Sequence, residues 1–107
     1  PKSFSLLFNL ALAYKNLKEY KKAIELYDKA LKINPASYQA WFNIAPLYSA
    51  EAQCKNAVSA LKICKKLRPN DDEIDYFLSI ALMICSKSFI CLFVISLFYL
   101  ILYHSFL

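Results

Sequence analysis

Cysteine and histidine are the side chains of this sequence best suited to metal binding or nucleophilic chemistry, and their spacing argues against both. The four cysteines, Cys54, Cys64, Cys85 and Cys91, form no C-x-x-C pair, and the only histidine, His104, lies in the apolar tail. Structural zinc sites typically need such closely spaced ligand pairs. We therefore expect no metal and no cofactor, and interpret the cysteines as small buried hydrophobic residues of a reducing compartment rather than as a disulfide framework or a catalytic thiol.

The other polar residues show no pattern typical of catalysis. The sequence has no glycine, so it has no glycine-rich phosphate loop, and no nucleophile or carboxylate pair stands in a recognisable setting. The net charge of +5 is spread along the first two thirds of the chain, without an arginine-rich run or alternating basic and aromatic residues. We therefore expect neither an enzyme nor a nucleic-acid-binding protein.

The chain repeats itself with a shift of 34 residues. Matched pairs in the first half of the unit are Leu7 with Trp41, Phe8 with Phe42, Asn9 with Asn43, Ala11 with Ala45 and Tyr14 with Tyr48. Matched pairs in the second half are Ala23 with Ala57, Tyr27 with Leu61, Ala30 with Cys64 and Pro35 with Pro69. A fixed period of this length indicates a stack of small structural units.

Each unit is predicted to be two helices, because its apolar and small residues recur at steps of three and four. The predicted helices are about 3–16, 19–33, 37–50 and 53–67, and a third unit opens near Asp71. Pro35 and Pro69 should end the preceding helices, and Ser37 and Asn70 or Asp71 are natural caps for the next ones.

Two local features depart from a regular helix pair. Lys18 and Ala52 stand in the inter-helix turns where glycine is usual, so these turns must use other conformations or carry strain. Pro46 lies inside a predicted helix, where it removes the hydrogen bond to the Phe42 carbonyl, and we expect a bend there.

The sequence resembles the tetratricopeptide repeat family, whose pattern is W-x2-L-G-x2-Y, then A-x3-F, a small residue and a closing proline. The matching residues of the first unit are Leu7, Leu10, Ala11, Tyr14, Ala23, Tyr27, Ala30 and Pro35, and those of the second are Trp41, Ile44, Ala45, Tyr48, Ala57, Leu61, Cys64 and Pro69. The resemblance implies an all-α solenoid of antiparallel helix pairs over residues 1–86, with repeats at about 4–36 and 38–70 and a partial third from 71.

The same resemblance implies a protein-interaction scaffold that holds a peptide or a partner's helix on its concave face. The partner-binding residues it assigns to that face are Phe8, Asn9, Leu12, Lys15, Gln39, Phe42, Asn43, Pro46, Tyr76, Phe77 and Ile80. The same face also includes Ser5, Asn16, Ser49, Glu73 and Met83. Family members that grip a chaperone's terminal carboxylate do so with lysine, asparagine and arginine residues. Only Asn43 is retained here, since Phe8, Leu12, Glu73 and Phe77 replace the others, so we expect an apolar or amphipathic ligand.

The same residues allow two alternatives to ligand binding. The aromatic residues of the concave face could pack against each other or against further helices. The repeats could also be an accessory segment of a larger enzyme or complex, contacting only the rest of their own chain.

The last 20 residues, 88–107, carry no formal charge and as a helix would be about 30 Å long, one hydrocarbon thickness. We expect an apolar C-terminal helix that begins after a boundary near 86–88 and is a candidate transmembrane anchor for a cytoplasmic repeat domain. The tail could instead be the buried second helix of the third repeat, or the product of a reading-frame artefact.

Overall fold

The computed structural model describes residues 3–86 and 89–105, and in the second segment it describes side chains from Phe93 onward. These segments contain six α-helices and no strand, which confirms the all-α prediction. The helices are α1 (Phe4–Asn16), α2 (Tyr20–Ile33), α3 (Tyr38–Ala50), α4 (Cys54–Leu67), α5 (Asp72–Ser86) and α6 (Phe89–Ser105). The expected boundary at 87–88 falls outside the described residues.

Capping residues and prolines explain the starts of α3 and α5 and the ends of α2 and α4. The Ser37 hydroxyl accepts a hydrogen bond from the amide of Ala40 at 3.3 Å, and the Asp71 carboxylate accepts one from the amide of Glu73 at 3.0 Å. Both are the predicted caps. Asn34 and Arg68, each preceding a proline, have φ of −135° and leave the helical region as predicted.

The core is built from the small and large residues that repeat along the sequence. Ala23, Tyr27 and Ala30 of α2 are fully buried, and Ala57, Leu61 and Cys64 take the same places in α4. Spacing of three and four residues puts each set on one face of its helix, toward the preceding first helix. A larger residue at Ala23 or Ala30 would push the paired helices apart.

Both inter-helix turns place a non-glycine residue in the left-handed region. Lys18 has φ of 63° and Ala52 has φ of 59°. The amide of Glu19 then donates to the carbonyl of Tyr14 at 2.9 Å, and that of Gln53 to Tyr48 at 2.8 Å. The two turns thus end the preceding helix with the same hydrogen bond. Each turn also carries the conformational strain of a non-glycine residue at positive φ.

Helix α3 continues through Pro46 from Tyr38 to Ala50 as one element. The bend expected at this proline stays a prediction.

The prediction that the cysteines are unpaired was wrong for two of them. Cys54, at the start of α4, and Cys85, near the end of α5, form a disulfide with their Cα atoms 5.2 Å apart. Residues 31 positions apart in the sequence meet because α4 and α5 pack against each other, a contact that cysteine spacing alone does not reveal. Cys64 is a buried free thiol, as predicted, and burial raises its pKa to about 11.

Helix α6 is apolar, as the sequence indicates, but it has only 17 residues. Within residues 3–86 and 89–105, none of the helices combines the length and apolar character required to cross a bilayer. The transmembrane anchor expected at 88–107 is therefore not supported.

Candidate partner-binding cleft

An open cleft lies between the first helices of the second and third units. Helices α3 and α5 both pack against α4, so α3 forms one wall, α5 the other and α4 part of the floor. The cleft has a volume of about 360 Å³. It is lined by Phe42, Ala45, Pro46, Ser49, Leu61, Phe77, Ile80, Ala81 and Ile84. None of these side chains is charged.

An aromatic pair closes one end of the cleft. The ring of Phe77 from α5 meets that of Phe42 from α3 edge to face, with centroids 5.8 Å apart. Tyr38 stacks on the other side of Phe42 at 5.8 Å, and Tyr76 contacts Phe77 at 5.5 Å. Such edge-to-face and offset pairs add stability beyond the area they bury, so the rings hold each other in position.

Polar groups are scarce in the cleft. Ser49 is the only lining residue with a polar side chain, and its hydroxyl donates to the carbonyl of Ala45 one turn earlier at 3.5 Å. The hydroxyl is thus engaged by its own helix. A ligand in this cleft meets carbon atoms rather than hydrogen-bonding groups.

The structure brings together four of the predicted partner-binding residues. Phe42 and Pro46 of α3 and Phe77 and Ile80 of α5 line the cleft, as does Ser49 of the same predicted face. The other predicted residues are placed elsewhere on α1, α3 and α5: Phe8, Asn9, Leu12, Lys15, Gln39, Asn43 and Tyr76. Only part of the predicted face therefore lines the cleft, and the rest lies outside it.

Two of the predicted residues outside the cleft, Phe8 and Lys15, lie in other surroundings. Phe8 packs edge-on against Tyr27, with ring centroids 5.6 Å apart, so its contact is with the core. Lys15 lines a second, smaller cleft of about 330 Å³ between α1 and α3, which also includes Pro46. The Phe8 contact is of the kind that the packing alternative expects, and a role of Phe8 in partner binding stays a prediction.

Asn43, the one residue retained from the carboxylate-gripping pattern, faces inward. Its amide donates to the hydroxyl of Tyr27 at 3.4 Å. Burial raises the pKa of Tyr27, and the hydrogen bond from Asn43 lowers it by a smaller amount. Because this amide pairs a buried hydroxyl, Asn43 has a structural role at the edge of the core.

Sequence reasoning missed four lining residues, and only some of them carried a signal. Ala45 occupies the repeated small position, and Ile84 lies one turn beyond the predicted Ile80. Leu61 comes from a second helix, whereas the prediction considered first helices alone. Ala81 becomes a lining residue only through the distance between α3 and α5, which no local pattern encodes.

No group of three or more histidine, cysteine, aspartate or glutamate side chains is arranged to hold a metal ion within the described part of the chain. The side chains that the structure gathers around the cleft offer surface and shape rather than reactive groups.

Residues 4–37 match the family model of the tetratricopeptide repeat, and this confirms the resemblance seen in the sequence. The fold is similar to that of a mutant of MamA, with a TM-score of 0.73 at 21% identity, over 81% of this chain and 64% of that one. The Sgt2 TPR domain from Aspergillus fumigatus is also similar, with a TM-score of 0.65 at 32% identity, over 73% of this chain and 52% of that one.

A third similar structure is YrrB, described as a TPR protein with an unusual peptide-binding site. Its TM-score is 0.66 at 20% identity, over 76% of this chain and 42% of that one. The chain spans less than two thirds of the length of each of these three structures.

Proposed function

We propose that this chain, which carries a tetratricopeptide repeat at residues 4–37, is a protein-interaction scaffold that binds an apolar or amphipathic helix of a partner between α3 and α5. The observation that carries the proposal is the open, uncharged cleft whose walls come from successive first helices. Solvent-open apolar concavities of this size are typical of binding sites rather than of unused surface.

The chemistry of the cleft favours a helix over an extended peptide. An extended segment brings unpaired backbone amide and carbonyl groups, and burying each without a partner costs about 1–3 kcal/mol. The lining residues offer almost no side-chain hydrogen bonds in return. A helix has already paired its backbone groups internally, so it can bury an apolar face here without that cost.

The affinity is expected to come from a few anchoring contacts. Ile80 is 37% exposed and Phe77 is 38% exposed, so each still has apolar surface to remove from water. Burying apolar surface stabilises a complex by about 25 cal/mol per Å² before the costs of association. One or two bulky side chains of the partner helix that reach Phe77 and Ile80 would therefore dominate binding.

A titration with a labelled amphipathic peptide tests the proposal. The probe is a fluorescent peptide of about 16 residues, roughly four helical turns, with leucine and phenylalanine on one face and glutamate and lysine on the other. Ile80→Ala should weaken its binding by about tenfold, which corresponds to about 1.4 kcal/mol. Leu82→Ala is the matched control, because Leu82 lies on the same helix, is 45% exposed and does not line the cleft.

Equal weakening by both variants, or by neither, would contradict the proposal. Circular dichroism of each variant must show an unchanged fold, because loss of structure in Ile80→Ala would favour the alternative that these residues serve only contacts within the chain. Membrane tethering gains no support from residues 3–86 and 89–105. Cytoplasmic placement stays a prediction.

A further inference from the structure

One face of helix α5 is held against the rest of the stack by residues at steps of three and four. Ile74 is fully buried, and Leu78 and Ala81 are partly buried against the core. Cys85 takes the next place in the same series and is bonded to Cys54 of α4. The disulfide therefore continues, at the C-terminal end of α5, the attachment that apolar packing provides earlier in the helix.

The two ends of α5 are attached in different ways. At the N-terminal end, Ile74 is buried and Asp75 pairs with Lys65 of α4 at 2.8 Å. At the C-terminal end Cys85 carries the covalent bond, and the adjacent Ile84 is 61% exposed. Buried apolar surface is what normally holds a helix against its neighbours. The last turns of α5 therefore depend on the disulfide more than the first turns do.

The α5 wall of the cleft lies between these two attachments. Its residues are Phe77, Ile80, Ala81 and Ile84. All four follow the ion pair at Asp75 and precede Cys85, and Ile84 is the direct neighbour of Cys85. Phe77 is also held by its ring contact with Phe42 of α3. Loss of the disulfide would therefore release the part of the wall around Ile84, while the part around Phe77 keeps its contacts.

The disulfide is open to exchange with thiols in solution. Cys54 and Cys85 are only partly buried, whereas the free Cys64 is fully buried. A thiolate attacks one sulfur, breaks the S–S bond and forms a mixed disulfide, which a second thiolate then resolves. The protein gains two electrons and two protons and is left with two thiols, and the reagent leaves as its own disulfide. A bond that solution thiols can reach responds to the redox state of its surroundings.

We infer that the Cys54–Cys85 disulfide is a redox switch of partner binding. The oxidised chain holds the α5 wall in place and binds the partner helix, and reduction by a thiol releases the end of the wall and weakens binding. A wall that is in position only part of the time lowers the apparent affinity by that fraction. The inference rests on the proposed function, because it names the regulation of the same cleft.

A titration of the labelled amphipathic peptide against the oxidised and the reduced full chain tests the switch. Both forms carry Cys91→Ala, so that the cysteine of α6 takes no part in exchange, and dithiothreitol is the reductant. Reduction should weaken peptide binding about tenfold, the value expected if the released wall is in position about a tenth of the time. The double variant Cys54→Ser with Cys85→Ser should bind as weakly as the reduced chain and should not respond to dithiothreitol. Equal affinity of the oxidised and reduced chains would overturn the switch.

A bridge that cannot be reduced is the matched control. A single methylene group inserted between the sulfurs of Cys54 and Cys85 keeps α4 and α5 joined at the same two positions. The bridged chain should bind the peptide as tightly as the oxidised chain, both with and without dithiothreitol. Loss of its binding on addition of dithiothreitol would show that the reagent acts elsewhere, and would overturn the inference.

Hydrogen exchange distinguishes local release of the wall from unfolding of the whole chain. Reduction should speed amide exchange about tenfold or more in residues 80–86 and leave α2 unchanged, because local openings involve the least buried segments first. Loss of protection in every helix would overturn the local release.

The peptide titration also separates failure of the inference from failure of the proposed function. Peptide binding that is indifferent to reduction would leave the scaffold function standing and refute the switch. Absence of peptide binding by the oxidised chain would refute the proposed function, and the control of binding with it.

Discussion

Single tyrosine hydroxyls connect neighbouring units of this molecule. Tyr48 of α3 donates to the carboxylate of Asp28 in α2 at 3.1 Å, and Tyr38 of α3 donates to Asp71 before α5 at 3.1 Å. Each bond joins one helix pair to the next. The guanidinium of Arg68 also lies over the Tyr38 ring, 3.7 Å from its centroid, which adds a cation–π contact at that junction.

Tyr48→Phe should lower the free energy of unfolding by about 1 kcal/mol at neutral pH, since it removes one hydrogen bond to a carboxylate and retains the ring. Burial, and then the charge of Asp28, raises the pKa of Tyr48 to about 12. An unfolded tyrosine has a pKa of about 10. The folded state therefore holds this proton more tightly, and the associated stability is complete below pH 10 and is lost as the pH rises toward 12.

Urea unfolding at pH 8 and pH 11 measures both effects. The unmodified protein should lose more stability between these values than Tyr48→Phe, which cannot ionise at this position. Tyr76→Phe is the control, because Tyr76 is 64% exposed on α5 and its ring contact with Phe77 is preserved. If Tyr48→Phe and the unmodified protein lost the same free energy of unfolding between pH 8 and pH 11, the role assigned to the hydrogen bond with Asp28 would be refuted.

At the scale of the helices, the two turns that lack glycine are sites of stored strain. A side chain at positive φ costs about 1–2 kcal/mol, and Ala52 carries this cost with its Cβ alone. Ala52→Gly should therefore raise the free energy of unfolding by about 1 kcal/mol, after the greater chain entropy of glycine in the unfolded state is allowed for. Thermal and urea unfolding followed by circular dichroism measure the change.

The same alanine-to-glycine substitution inside a helix is the control, because there it should have the opposite effect on stability. Ala13→Gly, on the exposed surface of α1, should lower stability by about 1 kcal/mol because glycine is unfavourable in a helix interior. A destabilising Ala52→Gly would mean that the turn does not hold its left-handed conformation in solution.

At the scale of the whole molecule, an ion pair and a disulfide reinforce the packing of α4 in the second unit against α5 in the third. Lys65 of α4 pairs with Asp75 of α5 at 2.8 Å, and the Cys54–Cys85 disulfide joins the opposite ends of the two helices. Helix α5 forms one wall of the cleft. The disulfide thus stabilises the cleft as well as the stack.

Reduction of the disulfide should lower the free energy of unfolding by about 3–4 kcal/mol, the value expected for a bond that closes a loop of 31 residues. Hydrogen exchange should quicken most in α5, which the bond fastens to α4. The double variant Cys54→Ser with Cys85→Ser should match the reduced protein and show no further response to a thiol reductant. Equal stability with and without reductant would show that the bond contributes nothing to the fold.

The repeat pattern alone predicted the local structure well. The first four helices begin one residue after their predicted starts and end at the predicted residues, because helix periodicity, capping residues and prolines act over only a few positions. The strained turns at Lys18 and Ala52 were also predictable, since a turn that usually needs glycine has none available here.

The functional geometry came from long-range contacts that local patterns do not encode. The sequence by itself determined the helix pairs, their small and large packing residues and the apolar character of α6, because these depend on residues three or four positions apart. Only the tertiary structure paired Cys54 with Cys85, turned Asn43 toward Tyr27 and completed the cleft with Leu61 and Ile84. Each of these depends on how neighbouring helices pack, and side chains distant in sequence meet only after that packing has formed.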